Sequence, residues 1–147
     1  NKEALISTKN FAVCGMGGSH LAADLLKTWN PSFNLVIHHD YGLPALANLN
    51  NYLIIISSYS GNTEEAIDGF DEAIAKKLPV ACVSTGGKLL KLAIEYKKPY
   101  IRIPDTGIEP RSALGFSIVS LLKLMKEEQT YEIKSAKRFH QELQALF

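Results

Sequence analysis

The amino-acid sequence predicts an α/β fold: a five-stranded parallel sheet covered by helices on both faces, in three αβα layers. Two observations carry this expectation. Five short apolar runs, rich in β-branched residues and too brief for helices, recur along the chain, and most are separated by stretches with the apolar spacing of amphipathic helices. Strands that alternate with helices need crossover connections, which set neighbouring strands parallel and bury the sheet on both faces. A chain of 147 residues, 46% of them hydrophobic, suits one sizeable core and leaves no room for a second full domain within it.

The elements follow in order. The first strand is Phe11 to Cys14; the turn from Gly15 to His20 then opens a helix whose apolar stripe is Leu21, Leu25 and Leu26. Leu35 to His38 is the second strand. Asp40 to Asn51 carries Gly42 and Pro44, breaks the alternation, and reads as a loop or a short helix. Tyr52 to Ile56 is the third strand, followed by a helix marked by Ala66, Phe70, Ala73 and Ile74; Val80 to Val83 is the fourth, followed by one marked by Leu89, Leu92 and Ala93. Tyr100 to Ile103 closes the sheet. Ala113 to Met125 is long and apolar enough for a buried helix, and Tyr131 to Phe147 reads as a more polar amphipathic one.

Sixteen basic residues against fifteen acidic ones give a net charge of +1, with no block of like charge. Nothing here attracts a nucleic acid or an anionic membrane. No run reaches the roughly 18 apolar residues of a membrane span, and the start lacks a basic segment followed by an apolar one. Cys14 and Cys82 each fall inside an apolar strand pattern, so both are expected as reduced, structural thiols, which points to the cytoplasm. Neither has a histidine at a metal-ligand interval, and no metal or organic cofactor is expected.

In a doubly wound sheet, ligands bind where strands turn into helices at their carboxyl ends. Gly15-Met16-Gly17-Gly18-Ser19-His20 is the first such turn: its glycines allow backbone N–H groups close to a ligand, and the helix start favours an anion. It departs from a dinucleotide fingerprint, which would need glycine at His20 and an acidic residue after strand two. A plain tight turn with Ser19 as N-cap explains the same residues. The third turn, Ser57-Ser58-Tyr59-Ser60-Gly61-Asn62-Thr63-Glu64-Glu65, is more specific, because hydroxyls and a glycine at one helix start make a neutral cradle for a phosphate monoester. No lysine follows Gly61, which argues against a triphosphate loop. An ordinary capped helix, with Glu64 and Glu65 complementing its dipole, is the competing reading.

These turns, together with Ser84-Thr85-Gly86-Gly87-Lys88-Leu89 and Glu109-Pro110-Arg111-Ser112-Ala113-Leu114-Gly115, occur in the order seen in sugar-isomerase (SIS) domains. From strand one to the helix after Arg111, the chain closely resembles the first half of bifunctional phosphoglucose/phosphomannose isomerases. The resemblance implies a flavodoxin-like SIS domain over residues 1–130, with 131–147 as a helix leading into a second SIS domain. It implies Gly18, Ser19, Ser58, Ser60 and Thr63 as substrate-binding residues and Arg111 as the active-site arginine. A guanidinium cannot lose its proton and suits the negative charge of an enediolate, although a simple pair with Glu109 would also place an arginine there.

The resemblance further implies conversion of glucose 6-phosphate or mannose 6-phosphate to fructose 6-phosphate, at a site completed across a dimer. The glutamate base, the histidine and the lysine of such a site would come from the second domain. Within this chain, His20, His38, His39, Glu64 and Glu65 are the remaining groups able to move a proton, and Lys88 reads as a solvated first-turn residue. The family more usually has a small residue at the position of His20. The main alternative function is a non-catalytic SIS domain that senses a sugar phosphate in a regulator, which would require an effector domain; a third is a stand-alone SIS isomerase sharing its site between subunits. The segment from Ala113 to Met125 is the expected partner surface of a homodimer.

Overall fold

A computed structural model describes residues 4–107, 109 and 112–127. Five parallel strands, β1 (Asn10–Cys14), β2 (Asn34–His38), β3 (Leu53–Ser57), β4 (Val80–Ser84) and β5 (Tyr100–Arg102), form one sheet in the order β2-β1-β3-β4-β5. Four helices accompany them: α1 (Leu21–Trp29), α2 (Glu64–Ala75), α3 (Gly87–Glu95) and α4 (Leu114–Met125). The strand count, the parallel pairing and the three layers agree with the reading of the sequence. The strand order is that of flavodoxin-like folds.

Side-chain alternation along the strands builds the layers. Phe11, Val13, Leu53, Ile55, Ala81 and Val83 point to one face and pack with α1 and α4. The residues between them, Ala12, Cys14, Ile54, Ile56, Val80 and Cys82, point to the other and pack with α2 and α3. Both faces are apolar because both are covered, which is why the runs look continuous rather than alternating. β3 is buried throughout, whereas the edge strands β2 and β5 are partly open.

The link between β2 and β3 is mostly loop, ending in a 3-10 turn at Leu49–Asn51. It crosses the α2 face in place of a helix: Leu43, Leu49 and Tyr52 pack on that core. Two carboxylates of α2 hold it, Asp68 accepting the Gly42 N–H at 2.8 Å and Glu72 the Leu43 N–H at 2.9 Å. Leu43, Leu46 and Leu49 have helical spacing, but Gly42 and Pro44 break it, so the sequence leaves loop and helix undecided here.

Cys14 and Cys82 are both buried and unbridged. Each pairs in register with Ile56 from opposite sides, so a whole strand separates them, too far for a disulfide. Burial, with Glu72 adding to it, pushes the Cys14 thiol up to about 12, and burial pushes Cys82 up as well. Among the described residues, no helix is long and apolar enough to cross a membrane.

Candidate functional site

The order β2-β1-β3 means that the chain reverses its direction of winding between β1 and β3, and a crevice opens at their carboxyl ends. The two most informative turns of the sequence meet there. Cys14 lies level with Ile56, so Gly15 and Ser57 follow side by side. A Cβ on Gly15 would come within 2.7 Å of the Ser57 carbonyl oxygen, and only glycine allows the two turns this close.

Ser19 joins them. Its hydroxyl accepts the Tyr59 N–H at 3.1 Å, and its carbonyl accepts the Ser57 hydroxyl at 2.9 Å. Ser19 is not the N-cap of α1. It ends a 3-10 turn, Gly17–Ser19, and His20 takes the cap position. The tie to the neighbouring turn uses Ser19 as an acceptor and leaves its proton to donate.

The hydroxyl-rich turn is organised from inside. Ser58 is fully buried; its Oγ accepts the Gly61 N–H at 3.1 Å and lies 2.8 Å from the Thr63 hydroxyl. Ser60 is exposed, and its Oγ accepts the Asn62 N–H at 3.2 Å. Thr63 stands at the N-cap of α2 but makes no capping bond from its side chain. The first N–H groups of a helix lack intrahelical partners, so the start of α2 presents donors, backed by the helix dipole, beside the hydroxyls of Ser60 and Thr63. Of the sequence-expected binding residues, Ser19, Ser60 and Thr63 stand on the two turns that meet here, Gly18 lies in the 3-10 turn that ends at Ser19, and Ser58 is buried with its Oγ beside Thr63.

The turn after β4 braces this cradle. The Thr85 N–H and hydroxyl both donate to the Tyr59 carbonyl, at 3.0 and 2.7 Å. Leu89 N–H donates to the Gly61 carbonyl at 2.8 Å, and Asn62 Oδ1 accepts the Lys88 N–H at 3.0 Å, so Asn62 caps α3. Gly61 and Gly87 interlock here at φ of +74° and +68°: a Cβ on Gly61 would sit 1.9 Å from the Gly86 carbonyl oxygen, and one on Gly87 2.3 Å from that of Ser60. Gly86 and Gly87 thus hold the cradle's shape, and Lys88 is exposed, as the sequence suggests.

Around this core lie the titratable side chains that the sequence offers. His20 and His39 come together, their rings stacked at 5.4 Å between centroids, and Asp24 Oδ2 lies 2.5 Å from His20 Nδ1. His38 turns away to the Tyr41 carbonyl, 3.1 Å from its Nε2. Glu64 accepts the Tyr41 hydroxyl proton at 3.2 Å. That bond, and the charges of Glu65, Glu64 and Asp68, raise the Tyr41 phenol above its ordinary range. Tyr41, Asn62, Glu64, Asp68, Asp71 and Lys88 line an adjoining hollow of about 320 Å³, on the far side of Asn62 and Glu64, whose carboxylates would repel a phosphate.

Arg102 was not singled out by sequence reasoning. It ends β5 on the same edge of the sheet, and its Nε donates to the Thr85 carbonyl at 3.2 Å, which leaves an exposed guanidinium anchored to the bracing turn. Its place at a strand's carboxyl end is the signal that could have found it. Arg111 lies outside the described residues. Among the described residues, no group of three or more His, Cys, Asp or Glu side chains could hold a metal ion.

A five-stranded parallel sheet in this order, with a hydroxyl-rich turn at its switch point, is an α/β fold like that of SIS phosphosugar isomerases. Comparison with known proteins agrees. A curated bifunctional phosphoglucose/phosphomannose isomerase of Caldicellulosiruptor bescii is 38% identical over 115 residues, 76% of this chain and 33% of its own length. The one of Aquifex aeolicus is 35% identical over 133 residues, 88% and 41% respectively. A putative phosphosugar isomerase of Clostridium difficile superposes with a TM-score of 0.63 at 14% identity, covering 93% of this chain and 42% of that one. The Vibrio vulnificus NanR protein complexed with ManNAc-6P gives 0.58 at 18%, covering 92% and 56%. No protein-family model matches the chain. The chain is a SIS domain homologous to the bifunctional phosphoglucose/phosphomannose isomerases. It spans about a third to two fifths of the length of these two relatives.

Proposed function

We propose that this chain binds the phosphate of a six-carbon sugar phosphate in the cradle between β1 and β3, as part of an enzyme that interconverts glucose 6-phosphate or mannose 6-phosphate with fructose 6-phosphate. The observation that carries the reading is the cradle itself: Ser60, Thr63 and the unpaired first turn of α2, held by the interlocked Gly61 and Gly87. Such a site is rich in neutral donors, which suits a phosphate monoester. The names of its relatives support the same reaction.

Isomerisation moves a proton between C2 and C1 of the open sugar and passes through an enediolate. The negative charge on that oxygen is the part that Arg111 is proposed to stabilise. Removing the C–H proton needs a base, and opening the ring needs an acid or base. A second SIS domain, following residues 1–130 and a linker at 131–147, would supply those groups at a site shared across a homodimer. Buried, reduced Cys14 and Cys82 fit the cytoplasm.

Isothermal titration with fructose 6-phosphate, run beside a coupled isomerase assay, tests this reading. Binding that is lost in the Ser60→Ala/Thr63→Ala variant supports it, and turnover lost in Arg111→Ala assigns the arginine. A wild-type chain that ignores fructose 6-phosphate overturns the cradle as an independent site. If NanR, complexed with ManNAc-6P in its structure, is the better guide, binding occurs without turnover even when the whole protein is used.

A further inference from the structure

On the β2 side of the same crevice stands a cluster that the phosphate reading does not use. The Gly15 N–H donates to the His38 carbonyl at 3.0 Å, which carries the β1/β2 pairing one step past Cys14 and brings His39 alongside the glycine turn. His20 ends that turn. The two imidazoles stack with centroids 5.4 Å apart and planes 28° from parallel. Asp24, one turn further along α1, lies 2.5 Å from His20 Nδ1. One ring is thus held on its face by the residue after β2 and at its edge by α1. The His20 side chain is 24% exposed, enough to reach a ligand and too little to swing freely.

The pairing with Asp24 decides which nitrogen is left. A carboxylate only accepts, so Nδ1 carries the proton of that bond. His20 Nε2 has no partner among the described residues and stays open to solvent. It accepts a hydrogen bond from the neutral ring and donates one from the charged ring. Ser19 immediately precedes it, and the Ser19 hydroxyl accepts the Tyr59 N–H of the cradle turn at 3.1 Å, so the fixed ring stands one residue from the contact that joins the two turns. A sugar phosphate held by its phosphate leaves its hydroxyls outside the cradle, and each hydroxyl can donate and accept. A ring already ordered by two neighbours loses little freedom on meeting one. Stacking keeps the nitrogens of the two rings from converging, and among the described residues no three metal ligands come together, so a hydroxyl suits this cluster better than a metal ion.

We propose that His20 is a specificity-determining residue of this site: its Nε2 meets a hydroxyl of the sugar while the cradle holds the phosphate. Asp24 and His39 are positioning residues that fix the ring. This role rests on the cradle taking the phosphate, and it assigns the sugar to the glycine-turn side of the crevice.

Two ligands separate the parts. Methyl phosphate offers the cradle a phosphate without a sugar, and fructose 6-phosphate offers both; each is titrated into the full chain and followed by amide NMR. His20→Ala is expected to weaken fructose 6-phosphate about fivefold, the effect of one net hydrogen bond, and to leave methyl phosphate unchanged, which also shows that the cradle is intact. His20→Gln, which keeps a polar group near the place of Nε2, is expected to recover part of the loss. Asp24→Ala is expected to show a smaller loss, again for fructose 6-phosphate alone. If His20→Ala weakens both ligands alike, or neither, the role of His20 is overturned while the cradle stands. A wild-type chain that binds neither ligand overturns the cradle and His20 together.

Discussion

The two turns that meet at the β1/β3 crevice are built on different plans. In the turn from Ser58 to Thr63, the hydroxyls of Ser58, Ser60 and Thr63 bond within the turn, the Tyr59 and Gly61 carbonyls bond to the brace after β4, and a side chain at Gly61 or Gly87 would strike backbone. In the turn from Gly15 to His20, Gly15 is tightly enclosed, whereas a Cβ on Gly17 would meet nothing within 4 Å. The Ser58–Thr63 turn is a fixed mould, and the Gly15–His20 turn, held at Gly15 and Ser19 but open at Gly17, is a more adjustable wall. A phosphate, whose shape is the same in every sugar phosphate, suits the mould, and the variable part of the substrate suits the wall.

The sharpest way to break this contrast is to place the same change in both turns. Gly61→Ala adds a methyl group 1.9 Å from the Gly86 carbonyl oxygen at positive φ. It is expected to cost more than about 3 kcal/mol and to lower the melting temperature by about 10 °C. Gly17→Ala has positive φ, +55°, but open space, and should cost only about 1 kcal/mol, or about 3 °C. Equal losses in thermal melts would remove the distinction between the two turns.

Hydroxyl changes separate binding from stability. Ser60→Ala/Thr63→Ala should weaken fructose 6-phosphate binding by at least tenfold, since hydrogen bonds to a charged group contribute about 1.5–3 kcal/mol each. Its melting temperature should fall by only a few degrees: Ser60 is exposed and Thr63 does not cap α2, so the main structural loss is the partner of the buried Ser58 hydroxyl. Ser58→Ala should do the reverse in order of size. It strands the Gly61 N–H and is expected to cost about 1–3 kcal/mol of stability in urea melts, with a smaller loss of binding passed through Thr63.

The mould was only half legible in the sequence. The five strands could be read because covered strands keep apolar runs, and the hydroxyl-rich turn because its composition is unusual. Ser57 and Ser84 looked like turn residues yet extend β3 and β4, since their backbones stay in the ladder opposite Val83 and Arg102, while their hydroxyls bond to the Ser19 and Gly86 carbonyls. The bracing of one turn by the next depends on β3 lying beside β4, and no local pattern encodes a neighbour. Ser19 was open to reading as a cap because a serine before a helix usually is one; a 3-10 turn moved the helix start by a residue. The meeting of His20 with His39 requires β2 beside β1, which was equally out of reach.

A smaller effect concerns pH. Cys14 has its pKa raised from 9.0 to about 12, chiefly by burial. Above about pH 9 the unfolded thiol loses its proton while the folded one keeps it, so this contribution to stability is present below that pH and falls away between about 9 and 12. Urea titrations at pH 8 and 10 should therefore show a smaller loss of stability in Cys14→Ala than in the wild type. The same loss in both would mean that the thiol does not stay protonated in the fold.

The central claim is that the mould, not the acidic hollow lined by Tyr41 and Lys88, receives the phosphate. Amide NMR of the full chain during titration with fructose 6-phosphate tests it most directly. The account predicts that the largest shifts fall on the N–H groups from Ser60 to Glu65, with smaller ones from Gly17 to Ser19. Shifts centred on Tyr41, Asp68 and Asp71, or none at saturating sugar phosphate, would contradict it.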